Sequence, residues 1–369
     1  MRKGWEYKKL NEVCEKGASN IVINKLTDNS GEYPLFGASG LVKNIDFFHQ
    51  DKPYIGIVKD GAGVGRVNIY PAYSSLVGTM QYIFPKEGYS IDFIKYFLVK
   101  LDLSHCVSGA TIPHIYFKDY GKENIPTPSL DTQLAIVSEL DKINELIRLK
   151  KEQLKDFDNL AQSIFYEMFG DPVENEKGWE VKILGDVCTD ITDGDHMPPP
   201  KSEYGIPFIT ISDIDKESRS LNFENTYYVP IDYYNKLKEN RKARIGDLLY
   251  TVTGSYGIPV IVKTDKQFCF QRHIALLRPN IEILSTIFLY YWMLNDGVKF
   301  MADKVAKGIA QKTVGLNSIR KFSCILPPLP LQHLFAQRID QIEHQKAEVQ
   351  KAITDLETLL ASRMQYWFE

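Results

Sequence analysis

The sequence lacks most features of a secreted, membrane-bound or metal-binding protein. It has five cysteines in 369 residues, and none of them forms a Cys-x-x-Cys pair, which argues against a disulfide framework or a zinc site. No signal peptide opens the chain, and no apolar run is long enough to span a membrane. We therefore expect a protein of the reducing cytoplasm that holds no metal ion.

The common signatures of catalysis are also missing. The chain has no Walker loop and no nucleophile elbow. The MPPP segment at residues 197–200 does not supply the Asn/Asp-Pro-Pro-aromatic tetrapeptide that amino-methyltransferases use. No set of acid, base and nucleophile recurs along the chain, so the sequence predicts a protein that is not an enzyme.

A glycine-rich segment, YIGIVKDGAGVGRVNIYP at residues 54–71, contains Gly61, Gly63 and Gly65 at alternate positions. The segments on both sides are β-branched and aromatic, which is typical of strands. A dinucleotide-binding loop must instead lead from a strand into a helix. The pattern therefore predicts a turn between two strands and no bound cofactor. A stand-alone methyltransferase that uses this loop is the weaker alternative.

The chain repeats itself in three places that follow the same order. GWEYKKLNEVC at residues 4–14 returns as GWEVKILGDVC at residues 178–188. PSLDTQLAIVSELDKI at residues 128–143 matches PPLPLQHLFAQRIDQI at residues 327–342, and LAQSIFYEMF at residues 160–169 matches LLASRMQYWF at residues 359–368. The chain is therefore two copies of one plan, and the second copy carries an insertion in its first part.

Each copy divides into a mixed, strand-rich section and a long helix. Glycine, proline and aromatic residues punctuate residues 1–128 and 178–328, which predicts two domains of the α+β class. Proline-rich segments then precede helices at residues 129–170 and 329–369, because proline is common just ahead of a helix. Residues 171–177 form the linker between the copies.

Both helices carry apolar residues three and four positions apart, which is typical of coiled coils. These residues are Ile136, Leu140, Ile143, Ile147, Leu154, Phe157, Ala161, Ile164 and Met168 in the first helix, and Phe335, Ile339, Ile342, Val349, Ile353, Leu356, Leu360 and Trp367 in the second. Lys150, Lys346 and Arg363 interrupt the two stripes. Each helix could pack on its own domain, but a rod of roughly 55 Å outruns a small domain. We therefore predict an antiparallel pair held by Leu140, Ile143, Ile147, Leu154, Ile339, Ile342, Val349 and Ile353.

The distribution of charge favours a polyanionic partner more than its sum does. The formal net charge is -3, but the helices and linker are acidic, which leaves the two mixed domains slightly basic. Polar loops and turns of these domains supply donors for phosphates and base edges. The candidate DNA contacts are Lys59, Gly61, Gly63, Arg66, Thr111, His114, Lys118, Asp193, His196, Thr253, Ser255, Tyr256, Arg272, Lys307, Gln311 and Lys312.

Several candidates have a structural alternative. Asp193, Asp195 and His196 are possible metal ligands, but a loop held by hydrogen bonds is the favoured interpretation. Arg272 lies in a polar triplet inside an apolar strand pattern, where it either contacts DNA or forms a salt bridge within the sheet. His114 is either a contact or a histidine satisfied inside a closing turn.

The motifs resemble those of the DNA-specificity subunit of type I restriction–modification systems. GWEYKKLNEV and GWEVKILGDV resemble the segment that opens each recognition domain of that family. KDGAGVGRV, SGATIPHIYFKD and IPTPSLDTQLAIVSEL resemble its first half. DGDHMPPP with GIPFITISDI, and KTVGLNSIRKFSCILPPLPLQ with the closing helix, resemble its second half. The resemblance covers essentially the whole chain.

The resemblance implies a non-catalytic subunit with two tandem target-recognition domains, each followed by a spacer helix. Each domain would read one half of an asymmetric double-stranded DNA site, and the paired helices would fix the gap. Two methyltransferase subunits, which carry S-adenosylmethionine, would dock on the chain and be joined by restriction (motor-nuclease) subunits. The alternative is a two-headed coiled-coil adaptor that binds proteins and has no DNA specificity.

Overall fold

The computed structural model describes residues 4–109, 111–194, 199–308 and 311–369. The chain divides into two compact units. Unit 1 comprises Met1–Gln153 and Val349–Glu369, and unit 2 comprises Leu154–Glu348. Both long helices begin in one unit and end in the other, whereas the domains predicted from the sequence keep each helix whole.

Unit 1 is built around a four-stranded antiparallel sheet with the strand order β2-β8-β5-β6. A smaller sheet has the order β4-β3-β7, and β1 pairs with β9. The elements in chain order are β1 (Tyr7–Lys9), α1 (Leu10–Val13), β2 (Cys14–Ala18), β3 (Tyr33–Gly37), β4 (Gly40–Ile45), β5 (Tyr54–Val58), β6 (Val67–Tyr70), β7 (Ser75–Leu76), β8 (Met80–Pro85), α2 (Ile91–Leu101), α3 (Phe117–Tyr120), β9 (Asn124–Pro126) and α4 (Leu130–Phe169).

Unit 2 follows the same plan with additional elements. Its elements in chain order are β10 (Glu180–Ile183), α5 (Leu184–Val187), β11 (Cys188–Asp193), β12 (Ile206–Ile209), β13 (Ile214–Asp215), β14 (Ser220–Leu221), β15 (Tyr227–Val229), α6 (Ile231–Lys236), β16 (Leu248–Thr251), β17 (Pro259–Ile261), β18 (Cys269–Phe270), β19 (Ile274–Pro279), α7 (Thr286–Leu294), α8 (Asp296–Val305), α9 (Leu316–Ile319), β20 (Ser323–Leu326) and α10 (Leu329–Phe368). The main sheet has the order β11-β19-β16-β17, the small sheet has the order β15-β12-β18, and β10 pairs with β20.

The strand registers confirm that the chain contains two copies of one plan. Cys14 pairs with Pro85 where the first main sheet begins, and Cys188 pairs with Pro279 at the same place in the second. In both small sheets one pair is parallel, β3 with β7 and β12 with β18. The β13–β14 hairpin is an antiparallel pair within the insertion of the second copy.

The predicted glycine turns are confirmed as connections between antiparallel strands. β5 pairs with β6 across the first turn, and β16 pairs with β17 across the second. Since each turn leads into a strand rather than a helix, neither provides the helix N-terminus that a dinucleotide site requires.

The two long helices pack against each other in both units, as the fold prediction stated. In unit 1, Arg363 donates a two-pronged hydrogen bond to Glu139, and Lys151 lies 2.8 Å from Glu357. In unit 2, Lys346 lies 2.8 Å from Asp158. Residue numbers rise along one helix as they fall along the other, so the pairing is antiparallel. Two of the charged residues that interrupt the heptads, Lys346 and Arg363, therefore join the helices.

The apolar stripe serves two purposes along its length. Leu140 belongs to the core of unit 1, and Ile339 and Ile342 belong to the core of unit 2. The middle of the stripe is also covered: Ile143, Ile147, Val349 and Ile353 are buried, and Leu154 is partly buried. Some segments of the two long helices therefore pack on a domain, and other segments pack between the helices. Among the described residues, none of the helices has the length and apolarity needed to cross a membrane.

Candidate nucleic-acid interface

In unit 1, the glycine turn is joined to a second loop by backbone hydrogen bonds. The N–H of Gly61 donates to the Pro113 carbonyl at 2.9 Å, and the N–H of Ile115 donates to the Lys59 carbonyl at 2.9 Å. The loop closes on itself through two reciprocal bonds between Ser108 and His114. The structure thus brings together two segments that are about 50 residues apart in sequence.

Unit 2 repeats this arrangement with different side chains. The N–H of Gly254 donates to the Lys312 carbonyl at 3.0 Å, and the N–H of Val314 donates to the Val252 carbonyl at 2.9 Å. Reciprocal bonds between Lys307 and Thr313 close the second loop. Each unit therefore presents one turn and one loop at the same end of its main sheet.

The first turn needs glycine for two reasons. Gly63 has φ +86°, a left-handed conformation that side chains rarely adopt, and a Cβ there would lie 2.6 Å from the Arg66 Cζ. The Arg66 guanidinium therefore lies against the turn, where it donates to the Ala38 carbonyl at 3.2 Å. Gly61 has φ +84° with open space around it, so only its backbone conformation demands glycine.

The other candidates of unit 1 lie on or beside the same two segments. Lys59 is 3.7 Å from Asp60, an ion pair at the surface that contributes little to stability. The His114 ring donates from Nδ1 to the Ile112 carbonyl, 3.1 Å away, and lies edge-on to the exposed Tyr116 ring. Lys118 sits over that ring at 5.1 Å, and Thr111 is exposed. The tyrosine was missed because nothing in its local sequence sets it apart.

In unit 2 the turn residues are held by neighbouring elements. Thr253 is buried, and its hydroxyl is 3.2 Å from the Thr313 hydroxyl. Lys216 donates to the Ser255 hydroxyl at 3.1 Å, and Tyr256 donates to Asp303 at 2.6 Å. The bond to Asp303 raises the pKa of Tyr256. Lys307, Gln311 and Lys312 are exposed on the loop.

Arg272 does not lie within a strand, contrary to the prediction from its sequence pattern. The polar triplet at residues 271–273 is not part of a continuous strand but a turn between β18 and β19. Arg272 is exposed there, and its Nε lies 3.4 Å from the His273 ring. The His273 carbonyl accepts from the Val252 N–H at 2.9 Å, which places this turn beside the glycine turn. An apolar stretch on each side of the triplet gave the false impression of one strand.

The polar loop after β11 is described only in part. Asp193 ends β11 with its carboxylate 3.6 Å from Arg241, so it has a protein partner. His196 and Asp195 lie outside the described residues. Within the described ranges, no three His, Cys, Asp or Glu side chains are grouped as a metal site would require.

Comparison with known proteins identifies the repeated unit. Residues 2–156 and 176–358 match the family model of the type I restriction modification DNA specificity domain. The specificity subunit of the type I restriction enzyme EcoBI from Escherichia coli is 22% identical over 67% of this chain, and this match spans only 57% of that subunit. The MjaIX specificity subunit from Methanocaldococcus jannaschii is 21% identical over 97% of this chain and 91% of its own length.

Solved structures share the fold over nearly the whole chain. The S subunit of a type I restriction–modification system from M. genitalium covers 99% of this chain and 96% of its own, with a TM-score of 0.53 and 14% identity. A chain from a structure concerning assembly and conformational transition of the type I R-M system covers 99% and 97%, with a TM-score of 0.60 and 19% identity. With two copies of the family model over most of its length, this chain belongs to the type I restriction modification DNA specificity family.

Proposed function

We propose that the chain is a sequence-specific DNA-binding subunit that reads a two-part, asymmetric site. The observation that carries this proposal is the turn-and-loop arrangement, which occurs once in each unit on the same strand order. A scaffold used twice with the same side chains would read a symmetric site. Here the side chains differ, so the two half-sites should differ as well.

The side chains at the two places suit different contacts. In unit 1, Lys59 and Arg66 offer cationic donors, which contact phosphates and guanine edges. In unit 2, the turn offers Ser255 and Tyr256, whereas the cations Lys307 and Lys312 stand on the loop. Hydroxyl groups donate and accept, so they suit a different pattern of base edges.

We further propose that the chain itself is non-catalytic and holds no cofactor. Two partner methyltransferase subunits would bind each chain, and they would carry the S-adenosylmethionine. Restriction subunits would join this complex in the cytoplasm. The relatives, named as specificity subunits of type I restriction enzymes, support this division of work.

The long helices offer surface for such partners. Leu134, Leu146 and Leu149 of α4 are each about half exposed, and so is Leu359 of α10. Apolar side chains concentrated on the outward faces of paired helices are typical of a surface that another protein covers. We propose that the methyltransferase subunits cover these faces.

A methylation map tests the proposed function. The chain would be co-expressed with its neighbouring methyltransferase subunit in a host without adenine methylation, and the modified bases would be sequenced. We expect a two-part asymmetric motif with one methylated adenine in each half. If the two proteins associate but no new methylation arises, the specificity role fails. Binding to the partner alone, insensitive to salt, would support the protein-binding adaptor instead.

A double substitution at the first turn should damage one half-site only. Lys59→Ala with Arg66→Ala removes one partly exposed and one exposed cation and leaves the glycines in place. We expect methylation to relax or weaken at positions of one half of the motif, since unit 2 is unchanged. The matched variant, Lys307→Ala with Lys312→Ala, should affect the other half. Equal damage to both halves by either variant would contradict the assignment of one half-site to each unit.

A further inference from the structure

Unit 2 carries two elements beside its glycine turn that the described residues of unit 1 lack. In unit 1, only residues 38–39 connect β3 to β4. The corresponding connection from β12 to β15 spans residues 210–226 and contains the β13–β14 hairpin. The second element is α8, which follows α7, whereas α2 is followed by only a short turn of helix at Leu103–Cys106.

The hairpin presents a lysine directly over the turn. Asp215 accepts hydrogen bonds from the Ser218 N–H at 2.7 Å, the Ser218 hydroxyl at 2.9 Å and the Glu217 N–H at 3.0 Å, which fixes the tip. These bonds from Ser218 and Glu217 lower the pKa of Asp215, so the carboxylate stays charged and engaged. Lys216 leaves this tip and reaches the Ser255 hydroxyl. Its partner there is a hydroxyl and not an acid, and the ammonium has two further donors.

Helix α8 approaches the same turn from another element. Asp303 accepts from Tyr256, and a Cβ on Gly257 would lie 4.0 Å from the Lys299 Cγ. One turn earlier, Phe300 is 57% exposed, and the Lys304 ammonium lies 4.4 Å from the centre of its ring. This cation–π contact holds Lys304 at the surface.

Both signs of charge lie on these elements: the hairpin carries Asp215, Lys216, Glu217 and Arg219, and α8 carries Asp296, Lys299, Asp303 and Lys304. Lys216, Lys299 and Lys304 are exposed, and the exposed Lys307 follows at the start of the loop. Of the nearby acids, Asp215 is engaged in its own tip and Asp303 is engaged by Tyr256. Asp215 and Glu217 are both exposed at the hairpin tip. The flanks of the second turn therefore present exposed lysines, whereas the turn at residues 253–257 has none.

We propose that the β13–β14 hairpin and α8 form an accessory surface that grips the DNA backbone beside the second half-site, with Lys216 and Lys304 as its phosphate contacts. The inference rests on the proposed function and adds residues and a task to it. Lysine suits this task because its ammonium is a flexible point charge that binds phosphate without the planar geometry of base recognition. We therefore expect the protein to cover a longer stretch of DNA backbone at the second half-site than at the first.

Salt-dependent binding tests the accessory surface. The chain in complex with its methyltransferase subunits would be titrated with a duplex that carries the mapped site, at several salt concentrations. Removing a phosphate contact flattens the dependence of log affinity on log salt by about 0.9. We expect Lys216→Ala with Lys304→Ala to reduce this slope by the amount that corresponds to about two phosphate contacts. The double variant should also bind roughly tenfold more weakly per lysine at ~0.1 M salt. The methylated motif should stay the same.

Matched variants separate charge from other effects. Lys236→Ala removes an exposed lysine at the end of α6. Helix α6 follows β15 at the end of the small sheet opposite to the β13–β14 hairpin, so this variant should leave the salt dependence of binding unchanged. Lys216→Arg with Lys304→Arg should restore both affinity and slope. An unchanged slope in the double alanine variant, with normal binding by the parent complex, would overturn the inference. An altered motif would make these lysines base readers and would also overturn it. Absence of specific binding by the parent complex would instead reject the proposed function.

Discussion

Inserting one heptad into α4 alone, after Lys150, is expected to abolish or strongly reduce site-specific methylation. The insertion displaces the two ends of α4 by about 10 Å relative to each other. Contacts on one side of the insertion, such as Glu139 with Arg363, would then need a different alignment of α4 with α10 from contacts on the other side, such as Asp158 with Lys346. Because the pairing on both sides includes buried core residues, both cannot be kept with α10 unchanged.

The compensating variant makes this prediction specific. Lys151 faces Glu357, so a second heptad after Glu357 lengthens α10 at the same height. Both sets of contacts are then restored, and the pair is longer by about two helical turns. We expect methylation to return with a gap longer by about three base pairs, since DNA rises roughly 34 Å in ten base pairs. Sequencing the modified bases of both variants measures the effect.

Two outcomes would count against the helices as the spacer. One is an unchanged motif in the single-insertion variant, which would mean that α4 does not set the distance. The other is recovery of methylation by the double insertion with the original gap. Circular dichroism of both variants distinguishes loss of helical pairing from loss of the whole fold.

The long helices could be predicted from the sequence because their signals are local. Proline precedes each helix, and apolar residues recur at a constant spacing over the whole length. What the spacing could not predict is the role of the interruptions. Lys346 is half-buried; burial disfavours its charge, but hydrogen bonds to Asp158 and Glu343 keep its pKa above the usual value. A partner on another helix leaves no trace in the local pattern.

The site could be predicted only in its parts. Glycines between two strand-like segments predicted each turn, because the flanking residues decide whether a strand or a helix follows. The contact of Gly61 with Pro113 joins segments far apart in the chain, and backbone hydrogen bonds of this kind do not depend on residue type. Lys216 was missed for the same reason. The sequence indicated an insertion, but its hairpin tip meets Ser255 only in the folded chain.

The repeat also hides a difference inside the two cores. Phe84 in β8 precedes Pro85, and Arg278 in β19 precedes Pro279, so the two residues occupy equivalent positions. The centre of the Phe84 ring lies 6.4 Å from the centre of the buried Tyr54 ring, and the two rings meet edge to face. In unit 2, Arg278 instead forms an ion pair with Asp247 at 2.7 Å. One copy thus fills this place with aromatic rings and the other with buried charges.

Arg278→Met is expected to destabilise unit 2 strongly, because it leaves Asp247 buried without its cation. The Asp247 side chain is only 4% exposed, and the Arg278 side chain 14%. Hydrogen bonds to Asp247 raise the pKa of the guanidinium, and further bonds reach Asp190 and the Lys242 carbonyl. Removing one member of a buried pair costs about 3 kcal/mol or more in the free energy of unfolding.

Hydrogen exchange measures this effect unit by unit. A loss of about 3 kcal/mol should speed amide exchange in β16 and β19 on the order of a hundredfold, whereas β5 and β8 of unit 1 serve as the internal control. The double variant Asp247→Asn with Arg278→Met removes both charges and should recover part of the protection, because no uncompensated charge remains buried. If the single variant exchanges as slowly as the parent, the ion pair contributes little. If the double variant is worse than the single one, Asp247 stabilises the unit mainly through its bond to the Arg244 N–H.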